Sequence, residues 1–337
     1  MPRPGATHAI TFLLITAALA ITPVRGATTK NRKSTTAADA ARFPRDGGSY
    51  GLGGIWFDRE PKPEPVQPEA PAATDQEGPS GKEPEEIDDE DTGGGLAPDV
   101  SWNLSTTGIH ETRPAHHASD HPDWHWDSEF APEAEWSITE HFSVPLGAGL
   151  RFMRFASSTD LDSDEPFASI GASWRFAPGW LAALHHESFW DLEPGFGSQV
   201  FAAHTTDLRL QYDTTAAESP GPVRWQSYLE AAHSFAEPAL HDWYGMGFGG
   251  GCALRLVPHT LRFQTGAGVS FQKYPNYHVN ASEVRQGWTT RLTGALVWTP
   301  TAHAQVSLGI DFLQSAENGV EFRFTNIAVP LVVSWSW

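Results

Sequence analysis

The chain has 337 residues, a formal net charge of −19, 14 Trp, 31 Gly, 3 Met and a single Cys. An acidic chain with no basic stripe excludes nucleic acid as a partner, and one cysteine excludes an intrachain disulfide framework. Abundant Trp and Gly with little Met points to strands and turns rather than a helical bundle, and no cofactor or metal motif stands out.

Residues 1–26 read as a signal peptide. Arg3 precedes an apolar run from Ile10 to Ala20 that is too short to span a bilayer as a helix. Cleavage after Ala20 and after Gly26 both fit. Residues 27–98 turn to Pro, Glu, Asp, Gly and Ser, a composition that buries too little apolar area to offset its ordering entropy. They are expected to form a disordered linker. Its acidic run Glu83–Asp91 joins the following segment through a few residues, and is expected to dock at the adjacent mouth as a tethered plug. The island "GGSYGLGGIWF" within this stretch reads as linker.

From residue 99 to 337 the pattern alternates. In "HAQVSLGIDFL", Val306, Leu308, Ile310 and Phe312 share one face, opposite Gln305, Ser307, Gly309 and Asp311. The same period divides the region into segments at 101–110, 124–139, 142–156, 166–176, 179–191, 199–213, 223–235, 243–257, 259–273, 284–299, 302–314 and 322–337. That makes about 12 strands, with 10 or 14 as the neighbouring even counts. Cys252, in "MGFGGGCAL", is a small strand residue. Short connections such as "TEHF" and "APGW" alternate with long polar ones such as "STDLDSDEP" and "KYPNYHVNASE". A soluble β-sandwich explains the alternation but not this asymmetry of loops.

The leader, the alternation, the loop asymmetry and the closing "IAVPLVVSWSW" together resemble the Gram-negative outer-membrane β-barrels as a class, over residues 100–337. The fold expected is an all-β transmembrane antiparallel barrel preceded by a disordered segment. The resemblance implies an outer-membrane location with the N-terminal segment and short turns in the periplasm, and outer-membrane lipid and lipopolysaccharide as surroundings. It also implies that Val333, Trp335 and Trp337 form the signal read by the barrel-assembly machinery. Trp136, Trp174, Trp180, Trp225, Trp298 and Trp335 sit near short turns, where an aromatic girdle belongs.

With the apolar face outward, the inward charges are Arg151, Arg175, Arg209, Arg224, Arg255, Arg262 and Arg291 with Glu129, Glu133, Glu135, Asp207, Glu230 and Asp311. Two readings follow: ion pairs that fill the lumen, or a pore ringed by Arg that sorts small solutes by charge. The reading taken is a porin-like channel for small solutes rather than an enzyme, with a closed structural barrel as one alternative. The other is an esterase. His186 and Ser188 fall outward, and this His-x-Ser resembles that of outer-membrane phospholipases and lipid A deacylases, which implies His as base and Ser as nucleophile. The motif departs where the phospholipases carry Asn-Gly after the Ser, since Phe189 and Trp190 follow here. The next strand offers His204 and Thr206. Asp120, Asp123, Asp160, Asp162, Asp164, Glu165, Asp191, Glu193, Glu237 and Asp242 are expected as solvated charge around an acidic mouth. His110, His116, His117, His121 and His125 read as a polar loop rather than a metal site.

Overall fold

The alternation resolves into twelve strands because each apolar face finds the same surroundings on the outside of one closed sheet. The computed structural model describes residues 97–112, 122–214, 223–258, 260–319 and 322–337. The expected signal peptide, the expected linker up to residue 96 with its plug, and His116, His117, Asp120 and His121 lie outside the described residues. The strands are β1 (Asp99–Glu111), β2 (Asp123–Thr139), β3 (Phe142–Phe155), β4 (Ser163–Ala177), β5 (Trp180–Leu192), β6 (Gln199–Asp213), β7 (Val223–Glu237), β8 (Trp243–Val257), β9 (Leu261–Asn280), β10 (Glu283–Trp298), β11 (Ala304–Glu317) and β12 (Arg323–Ser336). Each pairs antiparallel with its sequence neighbour, and β1 pairs with β12, so the barrel closes without an edge. Closure removes the unpaired backbone groups that hydrocarbon cannot satisfy.

The two faces separate cleanly. Outward side chains such as Leu229, Met246, Leu308 and Ile310 are exposed, while Gln226, Tyr228, Glu230, Ala232 and Ser234 on the inner face of β7 are buried. A wall of exposed apolar side chains this continuous is costly in water and favourable in lipid. Trp174, Trp180, Trp225, Trp298 and Trp335 are exposed on this wall near the short-turn end, with Trp136 half-buried beside them. Trp124, Trp126 and Trp288 stand exposed toward the other end, so aromatic side chains mark both ends of the wall. Gly179 turns β4 into β5 at φ 78°, with Asp213 O only 2.7 Å from where a Cβ would sit. Glycine alone fits there.

Two expectations change. The segment "KYPNYHVN" continues β9 to Asn280 instead of looping, and Asn280 Oδ1 accepts from the backbone N–H groups of Ser282 and Glu283 to make a tight hairpin. The long-loop carboxylates are also not all solvated. Asp123 Oδ2 accepts from the Ser158 N–H at 2.9 Å, Asp162 from Phe155 at 2.7 Å, Asp164 from Gly195 and Phe196 at 2.7 and 3.0 Å, and Asp242 from Ala236 at 2.7 Å. Loop backbones carry N–H groups with no strand partner, and these carboxylates supply the acceptors.

Candidate functional site

The interior is filled on one side and sparsely furnished on the other. Over β3–β7 the inward residues are bulky: Arg151, Phe167, Phe189, Phe201, Arg209 and Tyr228. Over β8–β1 many are small, with Gly245, Gly247, Gly249 and Gly251 on β8, Gly266 and Gly268 on β9, Thr289 and Thr293 on β10, Ser307 and Gly309 on β11, and Ser105 and Thr107 on β1, although Arg255, Arg262, Arg285, Arg291 and Asp311 also point inward there. Toward the long-loop end, Ala131, Phe167, Phe189, Phe201, Ala203 and Ala236 form one apolar cluster, and Ala232, Trp243 and Tyr274 form another.

The inward charges are distributed as strand-to-strand contacts rather than drawn into one ring. Arg151 is among the most enclosed. Its Nε donates to Glu129 Oε2 at 2.9 Å, its Nη1 to Glu165 Oε1 at 2.7 Å, and its two Nη atoms to Glu187 at 3.0 Å each, with the guanidinium 3.9 Å over the Phe167 ring. Three carboxylates around one cation engage all three nitrogens of the fork, which makes so buried a charge tolerable. Arg209 Nε donates to Glu230 Oε2 at 3.0 Å; Arg224 pairs with Asp213, and Arg291 with Asp311. Asp207 contacts His185 at 3.3 Å, and Arg262 donates to Gln305 at 3.2 Å. Arg255 faces Arg262 across the β8–β9 register. Arg175, Glu133 and Glu135 point inward near the short-turn end and are exposed.

The sequence reading missed Asp213 and Glu187 as inward partners and treated Glu165 as loop charge. It also missed Arg285, buried near the long-loop end, bonded through Nε and Nη2 to Glu317 and stacked 3.9 Å from the Phe322 ring and 4.1 Å from Tyr274. Inward parity alone marks Arg285, Glu187 and Glu317.

On the outer wall, β5 and β6 bring His186, Ser188, His204 and Thr206 together as cross-strand neighbours. Ser188 Oγ lies 2.8 Å from His204 Nδ1 and 3.3 Å from His186 Nε2, and His186 Nδ1 lies 2.8 Å from Thr206 Oγ1. A serine with an imidazole in hydrogen-bond reach has a base available. Ser188 is nevertheless 7% exposed, and a hydroxyl rather than a carboxylate orients His186. His110 and His125 do not meet: His110 stacks on Trp124, and His125 is buried against Phe155. Among the described residues no group of three His, Cys, Asp or Glu side chains is arranged to hold a metal ion.

Twelve antiparallel strands closed on themselves, an apolar outer wall with aromatic side chains at both ends, and a polar interior define a transmembrane β-barrel of the outer-membrane type. No protein family and no characterised protein matches the sequence. Among solved structures, the barrel is similar to an outer membrane channel from Pseudomonas putida F1, at 10% identity, covering 72% of this chain and 96% of that one, with a TM-score of 0.46. It is similar to the porin NanC at 8% identity, covering 69% and 98%, TM-score 0.41. It is likewise similar to LpxR from Salmonella typhimurium at 8% identity, covering 70% and 99%, TM-score 0.41. At such identities the likeness is one of barrel shape and carries nothing about solute or reaction.

Proposed function

We propose that this protein is an outer-membrane channel for the passive passage of small polar solutes. The observation that supports the reading is the inner face of β1. Asn103, Ser105, Thr107, Ile109 and Glu111 all remain partly exposed along the strand, whereas Gln226, Tyr228, Glu230, Ala232 and Ser234 on the same-facing side of β7 are buried. An inward side chain is reached by solvent only where the lumen leaves room beside it. Arg291, also inward, keeps 37% of its side chain exposed while paired with Asp311. Water therefore has room along an off-centre lane beside β1 and Arg291, the latter already neutralised by Asp311. In this reading the short turns and the N-terminal segment face the periplasm. Single-channel recording of the full chain in planar bilayers tests it. Discrete conductance steps support the channel; a sealed membrane at high protein load refutes it.

A second reading rests on the outer wall. The 2.8 Å contact of His204 with Ser188, beside His186 on the outward face, supports a reading in which Ser188 is a nucleophile and an imidazole its base. A lipid esterase would attack an ester carbonyl with Ser188 Oγ while an imidazole takes its proton; the adduct then breaks the ester C–O bond, the departing alcohol takes that proton back, and water releases the fatty acid from Ser188. Release of fatty acid from phospholipid micelles that disappears in Ser188→Ala supports this reading. Equal rates for the two proteins, or no release by either, remove it.

A further inference from the structure

β1 and β2 carry no lysine or arginine, and every charged side chain on them sits at an inward position. Asp123 is taken up by the neighbouring loop, where it accepts from the Ser157 and Ser158 N–H groups. The other six, Asp99, Glu111, Asp127, Glu129, Glu133 and Glu135, line the interior along these two paired strands. Facing inward keeps charge out of hydrocarbon, but it does not choose the sign. All six being acidic needs its own cause.

The adjoining strands do not cancel this charge. The one charged residue of β12, Arg323, falls on the outer face. On β3 the inner face offers Arg151 alone, and that guanidinium is shared by Glu129 with Glu165 and Glu187, so the group as a whole stays acidic. Arg291 is matched by Asp311 and Arg285 by Glu317. Arg209, Arg224, Arg255 and Arg262 stand on β6–β9, the arc across the twelve-strand ring from β1 and β2.

Solvent reaches the acidic side. Glu133 and Glu135 are exposed at the short-turn mouth, the side chains of Asp127 and Glu129 are each 25% exposed, and Glu111 is partly exposed at the other end. The inner face of β7, across the barrel, is buried. The watered lane therefore runs along the acidic wall from one end to the other. An aqueous path beside a low-dielectric wall focuses the field of the charges that line it and concentrates ions of the opposite sign. We propose that the carboxylates of β1 and β2 make this lane selective for small cations over anions. The inference rests on the channel reading and deepens it by naming the solute class.

The zero-current potential of the full chain in planar bilayers under a potassium chloride gradient tests it. Potassium is expected to permeate several-fold better than chloride, and the preference should shrink as bulk salt rises and screens the wall. Glu133→Gln combined with Glu135→Gln should lower the permeability ratio roughly twofold or more, and Glu133→Lys combined with Glu135→Lys should turn it toward chloride. Glu140→Gln, in the turn just past β2 with its side chain 85% exposed, removes the same charge outside the lumen and should leave the ratio as it was. Heat-modifiable migration on a denaturing gel checks that each variant has folded. If the parent conducts but passes both ions alike, or favours chloride, the selectivity is overturned and the channel stands. If it favours potassium and both double variants keep that preference, the assignment to this wall is overturned. A membrane that stays sealed at high protein load removes the channel reading and this inference with it.

Discussion

Trp102 and Trp337 exchange a pair of backbone hydrogen bonds, 3.0 Å from Trp102 N to Trp337 O and 3.2 Å in return. The last residue of the chain is thus tied to the first strand, where β1 and β12 meet and the barrel closes. A bulky indole at this position lies on the outer wall, exposed toward lipid together with Trp335 and Val333.

Removal of residues 335–337 should therefore open the seam. The pairings of Leu104 with Trp335 and Asn103 with Ser336 go with them, as do both bonds to Trp102. Refolding into vesicles, read as the heat-modifiable band on a denaturing gel, is expected to fall several-fold. Trp337→Ala keeps the backbone bonds and should refold normally in vitro. If it is then poorly inserted in cells, the deficit isolates the proposed recognition by the assembly machinery.

Arg151→Met should be among the most damaging single changes. It strands Glu129, Glu165 and Glu187 around a site with no cation, and breaking a buried pair from one side costs about 3–5 kcal/mol. Adding Glu187→Gln to the variant should recover part of that loss. Urea unfolding in lipid vesicles measures both, and an Arg151→Met barrel as stable as the parent would show that the network contributes nothing.

The connection between β7 and β8 should loosen in acid. A single turn, Ala239–His241, folds His241 into the mouth, where its ring meets Phe201 edge-on. Burial, with Arg285 nearby, pushes the imidazole down to about 4, and Asp242 opposes this only in part. Since the unfolded ring takes its proton near 6.5, the packed loop is favoured above that pH, loses ground as the pH falls toward about 4, and changes no further below it. Amide exchange over residues 236–243, corrected for intrinsic rates, should accelerate across this window. His241→Phe should flatten the response.

Much of this architecture was legible because a membrane barrel writes its two faces at a period of two. The observed bounds of β6 and β8 coincide with those read from the alternation, and Val306, Leu308 and Ile310 announce the outer wall by themselves. The signal fades where the surroundings stop differing between faces. Lys273–Asn280 extends β9 with Pro275, Asn276 and Tyr277, and its strand character comes from pairing with β10, not from alternation. Glu187 illustrates a second limit. The register opposites of Arg151 are Glu129 and Glu165, both predictable from turn positions, but Glu187 is two strands away and reaches Arg151 only through the stagger of the sheet. The members of the β5–β6 cluster, His186, Ser188, His204 and Thr206, were all visible, but which of them meet depends on register.

The account depends on one side of these strands meeting hydrocarbon and the other meeting water. Single cysteines placed in turn at positions 305–310 of β11, in a Cys252→Ser background, can carry an environment-sensitive fluorophore in vesicles. Fluorescence at 306, 308 and 310 should be quenched by brominated lipid, and at 305, 307 and 309 by aqueous iodide. Six positions responding alike, or the opposite alternation, would contradict the account.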